Sequence, residues 1–404
     1  MSSGFSRMRT LILALEYPHR ASYYDDWRDA FCDSPQLECA FANILSLQPR
    51  ELARRLEEHD AVIMLHSCNS DTLEFLAPLA PVLGARKRAR LLTFVGNEFN
   101  SPYVSLIDKV RLFREARCDI VATQLLEEAG RFLYADSGAE VVSIPHALNP
   151  RAFRPGPEHA ARRLDLGVRG YRYPPYLGDD DRNRLLDFFR SNAARMGLVV
   201  DIAHDRRLGR EGWAQFLADC RGTLSTETGS WYLDRDDALV RRVYAHMAAR
   251  RSGLVIGNQS VLRRAARRLP SPVKAALAAV LKRGPIKFEV FEDDNVPFAE
   301  LYEAFFRTAP RPPVYGKAVS SRHFDAVGTK TCQIMVRGRF NDILTAEEHY
   351  IGVDASLADA AEAVRRFRDD GLRQAMADAA YEHVMSAHTY AHRARDVVRA
   401  LGRV

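Results

Sequence analysis

Apolar residues along this chain fall into short runs separated by stretches in which they recur at helical spacing. Residues 9–15, 60–66, 90–96, 119–123 and 140–145 read as buried strands. Between them, residues 23–31 carry aromatics on a 3.6-residue period, and 50–58, 104–115 and 124–134 read as helices. A further helix is expected from Asp71, with Ser70 as its N-cap and Glu74 in its first turn. Strand–helix alternation with short turns predicts a doubly wound parallel sheet. In such a sheet, ligands sit at the C-terminal ends of the strands.

Four prolines and a glycine within 145–157 mark a linker, and alternation then restarts. Strands are expected at 165–170, 198–202 and 222–226, and helices at 182–195 and 211–219. Near the C-terminus, residues 320–353 combine a polar turn, a helix around residues 324–327 closed by Gly328, and two short apolar runs, 332–336 and 350–353. The last 40 residues are helical, broken near 386–388. The expected fold is therefore α/β, with two Rossmann-like domains facing each other across a cleft. Residues 1–150 form the first domain and 151–385 the second. A C-terminal helix, about 386–404, returns to the first.

Composition adds three points. The 404 residues suit two domains, and the scattered cysteines (Cys32, Cys39, Cys68, Cys118, Cys220, Cys332) form no C-x-x-C and no zinc spacing. Reduced thiols and the lack of any membrane-length apolar run point to the cytoplasm. Residues 238–287 contain no Asp or Glu but twelve Lys or Arg, so against a formal net charge of +6 the remainder is net negative. The basic character is local to a helical insertion, which argues against a nucleic-acid-binding protein. This insertion reads as a solvated face, as a peripheral contact with anionic membrane, or as a groove for an acidic acceptor.

The polar residues at the strand ends are Glu16, His19, His66, Asn69, Glu98, Asn100, Thr123 and His146. As a set they line a cleft. The acidic runs 179–181, 234–237 and 292–294 read as helix caps rather than as metal ligands.

The stretch SSRHFDAVGTKTCQIMVRGRFNDILTAEEHYIGV, from Ser320, resembles the C-terminal block of CgeB-like (spore-maturation-type) glycosyltransferases of the GT-B fold. SIPHALNPRAFRP is similar to the interdomain linker of that fold, and residues 315–395 carry most of the likeness. The resemblance implies transfer of a sugar from a nucleotide-sugar donor to a glycan, lipid-linked or small-molecule acceptor, with residues 1–150 as the acceptor-side domain and 151–385 as the donor-side domain. No cofactor and no metal are implied. It places Asp325 where the family's glutamate contacts the ribose, Arg322 toward the diphosphate, and Ser321 at the start of the same helix. Gly167, Arg169 and Gly170 are expected in a glycine turn near the diphosphate, with Glu227, His349 and Tyr350 close by. Lys317 falls where many retaining enzymes of this fold have the first of two glutamates, the second being the Asp325 position, which leaves the stereochemistry open. If the reaction inverts, His19, His66 and Glu98 are the candidate bases; if it retains, the leaving phosphate serves. Two other readings share the architecture: a nucleotide-sugar epimerase and a non-catalytic sugar- or partner-binding module.

Overall fold

The computed structural model describes residues 7–16, 23–98, 101–102, 104–204, 208–250 and 296–402, with a few positions between 254 and 288. Its first sheet contains β1 (Met8–Ala14), β2 (Leu37–Asn43), β3 (Ala61–Met64), β4 (Arg90–Phe94), β5 (Ile120–Thr123) and β6 (Glu140–Ser143). The order is β2-β1-β3-β4-β5-β6, with every pair parallel. α1 (Tyr23–Asp33) covers one face with Trp27 and Phe31. α2 (Pro49–Glu58), α3 (Ala80–Gly84), α4 (Leu106–Glu115) and α5 (Glu127–Tyr134) cover the other. Covered on both faces, β3 is buried at all four positions, as a central parallel strand must be.

The second sheet contains β7 (Leu164–Arg169), β8 (Val200–Ala203), β9 (Cys220–Ser225), β14 (Cys332–Val336) and β15 (Ile351–Val353), in the order β15-β14-β9-β7-β8. Two small ribbons lie between β9 and β14 in the chain. β10 (Thr228–Gly229) pairs antiparallel with β13 (Lys317–Ala318), and β11 (Leu254–Ile256) pairs parallel with β12 (Ile286–Phe288). The helices of this half are α6 (Asp181–Asn192), α7 (Arg210–Ala218), α8 (Ala238–Ala249), α9 (Phe298–Leu301), α10 (Ser321–Gly328), α11 (Ala360–Arg368) and α12 (Asp370–Ala387). The chain then breaks at His388, and α13 (Tyr390–Gly402) packs Tyr390, Ala394, Val397 and Leu401 into the first domain's core.

The structure departs from the sequence expectations in three places. β2, an edge strand of sequence LECAFAN, was not anticipated; its burial does not alternate and its residues favour strands weakly. The helix expected from Asp71 is absent. Turns fill that segment as far as α3, with Pro78 and Pro81 interrupting regular helix. The proline-rich linker is docked, not loose: Ala147, Leu148 and Phe153 are fully buried, and Leu148 bonds to His388 and Tyr390 through its backbone. In the basic segment, α8 buries Val240, Val243 and Met247 against Tyr176, Leu301 and Phe306. The amphipathic helix expected at 261–269 lies mainly outside the described residues. Among the described residues, no helix is long and apolar enough to cross a membrane.

Candidate active site in the interdomain cleft

In the second sheet the connections reverse direction between β7 and β9, and α10 begins beside their C-terminal ends. His323 fixes that position. Its Nδ1 accepts from the Ser320 backbone N–H at 2.9 Å, so its proton sits on Nε2, which donates to Ser225 Oγ at 2.9 Å. Burial, then the charges of Arg182 and Arg322, hold the ring at a pKa of about 3, so it stays neutral. Ser321 opens the helix at the positive end of its dipole, where Ser320 and His323 form a capping box.

Two guanidinium groups converge on the turn after β7. A side chain at Gly170 would place its Cβ 3.2 Å from Arg322 Nη1 and 3.4 Å from Arg182 Nη2, so glycine leaves room for both. Arg182 is 2% exposed. Its Nε is buried without a hydrogen-bond partner, and no carboxylate pairs with it among the described residues. The Tyr173 ring lies 5.2 Å from it. A buried, uncompensated cation is costly. Arg182 and Arg322 thus bring two guanidinium groups beside a helix N-terminus at a topological switch point, an arrangement that can hold an anion. Asp325 lies one turn further along α10. It is 3% exposed and accepts from Trp213 Nε1 at 3.0 Å. Burial, then the charge of Asp26, pushes its pKa well above the usual carboxylate range.

Other expected donor residues turn out to have different surroundings. Gly167 lies within β7, where a Cβ would strike Cys220 Sγ at 2.3 Å; it is a packing position and does not belong to the turn. Arg169 pairs with Asp201 and stacks on Phe216 at 4.0 Å. Lys317 is buried, and its Nζ pairs with Asp179, 3.7 Å from Asp181 and over the Trp231 ring. This pairing also accounts for part of the first acidic run. His349 faces α12, stacking on His383 at 4.5 Å.

Glu227 and Tyr350 support a loop. Phe340, Asn341 and Asp342 have φ of 46°, 54° and 58°, a left-handed run costing about 1–2 kcal/mol per residue. Glu227 accepts from the Phe340 N–H at 2.6 Å, Asn341 Oδ1 accepts from the Val319 N–H at 2.7 Å, and Tyr350 packs edge-on against Phe340. The loop reaches across the cleft, with Asn341 Nδ2 donating to the Gln124 carbonyl at 3.0 Å and Arg339 pairing with Glu128 at 3.0 Å.

On the acceptor side, His19 lies outside the described residues. His66 follows β3. Gln124 Nε2 donates to the Ile144 carbonyl, which fixes the amide's orientation, and donates to His66 Nε2 at 2.8 Å. His66 must therefore carry its proton on Nδ1, which is buried and unpartnered. The open atom is a donor, so in this arrangement it is not poised to take a proton. Burial, and then the nearby His146, hold the ring's pKa well below its ordinary value.

Glu98 accepts from Thr123 Oγ1, the Gln124 N–H and the Tyr134 hydroxyl. Burial raises its pKa to about 7 against these hydrogen bonds. The folded protein thus keeps a proton that the unfolded chain has already lost, so stability falls as pH rises from about 4.5 to 7 and then levels. The change for this group is on the order of 3 kcal/mol. Urea unfolding from pH 4.5 to 8 should show this slope, and Glu98→Gln should flatten it.

Residues outside the expected set complete the cleft. Asp26 on α1 accepts from Asn149 of the linker at 2.8 Å and from Arg210 of α7 at 3.1 Å. Asp237, with φ of 58°, caps α4 of the other domain through Ser105 Oγ at 2.8 Å and the Leu106 N–H at 2.9 Å. Arg182 left one trace in the sequence: a cation at the start of a helix opposes the dipole. Asp26 and Arg210 left none, because only the docking of the domains brings them together. No group of His, Cys, Asp or Glu among the described residues could hold a metal ion. A groove of about 540 Å³ near His159, Lys330 and Asp378 lies by the segments that lead into β7 and β14, where Lys330 is paired with Asp378.

Residues 289–399 match a family model described as glycosyl transferase-like. No curated protein matches the chain. Among solved structures, an alpha-glucosyltransferase in complex with UDP and a 13-mer DNA is similar at 10% identity, with a TM-score of 0.50 over 98% of this chain and 100% of that one. HepE of Anabaena in complex with UDP is similar at 11% identity, with a TM-score of 0.49 over 98% and 100%.

Proposed function

We propose that the cleft binds a nucleotide sugar with its diphosphate on Arg182, Arg322 and the α10 N-terminus, and its ribose at Asp325. The chain is a glycosyltransferase of GT-B architecture, transferring a sugar from a nucleotide-sugar donor. The observation that carries the donor assignment is Arg182, a buried guanidinium with an unpartnered Nε at the switch point. A diphosphate supplies the missing charge and accepts from the planar donors. Catalysis then comes from holding donor and acceptor together and from stabilising the departing diphosphate with fixed cations and amides. The CgeB-like subtype is the closer affiliation we propose, on the block from Ser320. The acceptor is a glycan, a lipid-linked sugar or a small molecule.

A thermal-shift panel of UDP, GDP, ADP, TDP and CMP tests this reading. UDP comes first, because the similar alpha-glucosyltransferase is described with UDP bound. A nucleoside diphosphate at a hundred times its Kd should add about 2.7 kcal/mol of stability, with CMP giving less. No shift with any of them would overturn the donor site. Incubating the matching nucleotide sugar without acceptor separates the epimerase, which would turn over to an epimer.

A further inference from the structure

Asp325 has a counterpart in the other domain. Asp26 is 1% exposed, and its Oδ1 takes both Asn149 Nδ2 and Arg210 Nη1. Asp325 Oδ2 takes Trp213 Nε1. Arg210 and Trp213 lie three residues apart on α7, on one face and a single turn apart. One helical turn thus touches both carboxyl groups, and the Asp26 charge is felt at Asp325. Tyr390 lies near both. Among the described residues, Asp26 Oδ2 and Asp325 Oδ1 accept no hydrogen bond, so each domain contributes one open acceptor. One turn back along α10 lies Arg322, beside Arg182 of α6, whose Nε has no hydrogen-bond partner. The ligand that matches has an anion at one end and, about one helical turn away, two hydroxyl donors.

We propose that Asp26 is a specificity residue for the donor: with Asp325 it takes the vicinal ribose hydroxyls, one from each domain. This rests on the donor site proposed above and adds a contact from the acceptor-side domain. A carboxylate accepts but cannot donate, so two hydroxyls inserted between two carboxylates satisfy both. Donor binding then also draws the two domains together. In the empty cleft the two carboxyl groups, flanked by Asp29, Arg210, Arg322 and Tyr390, resist ionising together. Burial already holds Asp26 at about 6. Hydroxyl donors favour the ionised forms, so binding should release a proton.

Calorimetric titration of UDP, ADP and GDP, and of their 2′-deoxy and 3′-deoxy forms, in two buffers of different ionisation enthalpy near pH 7 tests this. The wild-type protein should release protons and favour each ribonucleotide over its deoxy forms by on the order of tenfold or more. Asp26→Asn retains an acceptor for Asn149 and Arg210. It should still bind the diphosphate, but lose the proton release and most of the discrimination. Asp26→Glu, which keeps the charge but displaces it, should discriminate less than wild type, and it serves alone if Asp26→Asn does not fold. Wild-type discrimination and proton release in the Asp26 variants would overturn the role of Asp26 while leaving the donor site standing. Absence of nucleotide binding by the wild-type protein would instead remove the donor site itself.

Discussion

Arg182→Met should lower kcat/KM for the nucleotide sugar by about 10²–10³-fold, the usual effect of removing one preorganised donor from a developing anionic charge. The same substitution should raise the stability of the nucleotide-free protein by about 1–2 kcal/mol, because it removes a buried cation that no carboxylate among the described residues compensates. Opposite signs for activity and stability are expected at a site built for an absent charge. Thermal unfolding with and without nucleoside diphosphate reads both: the apo Tm rises by a few degrees and the ligand-induced shift shrinks. Arg182→Lys should recover only part of the activity, since an ammonium lacks the planar fork. A Tm that falls sharply, with the nucleotide shift intact, would make Arg182 a structural residue.

The second large effect concerns Lys317. It is 4% exposed and paired with Asp179, itself 6% exposed. Lys317→Met leaves Asp179 buried and unpaired, so stability should drop by about 3–5 kcal/mol. Donor affinity, measured below the new Tm, should change little. Asp179→Asn in the same chain should restore most of the loss, because the amide carbonyl still accepts from the Asp181 N–H, which lies 2.8 Å from Asp179 Oδ1. A phosphate-binding lysine would show the reverse: a large loss of donor affinity, a small change in Tm and no rescue by Asp179→Asn.

These two residues show how far the sequence alone reached. Lys317 was noticed because it stands where a glutamate is common, and a free cation in that position suggests a phosphate. Its partner is 138 positions away in sequence, so the buried pair was invisible until the chain folded. Arg182 stands at the start of an expected helix, and its unfavourable place at the positive end is legible in the sequence. The sequence does put Asp325, Arg322 and Ser321 on one helix, as the structure has them, and Gly170 directly follows β7. Gly167 and Arg169 were read into the same turn because a strand's end cannot be fixed to within two residues by pattern.

The local alternation of apolar runs and amphipathic stretches determined two parallel sheets, because a strand buried on both faces must be apolar throughout and a covering helix must be apolar on one side. The order of elements determined that polar residues cluster at the strand ends. Tertiary structure decided which of those residues meet. It buried Arg182 with no partner for its Nε, tied Lys317 to Asp179, set Gln124 as a donor to His66 Nε2, and set Asp26 near Asp325 from the opposite domain. Each depends on distances between segments far apart in the chain. A one-dimensional pattern records burial and periodicity, but it does not record which charge faces which.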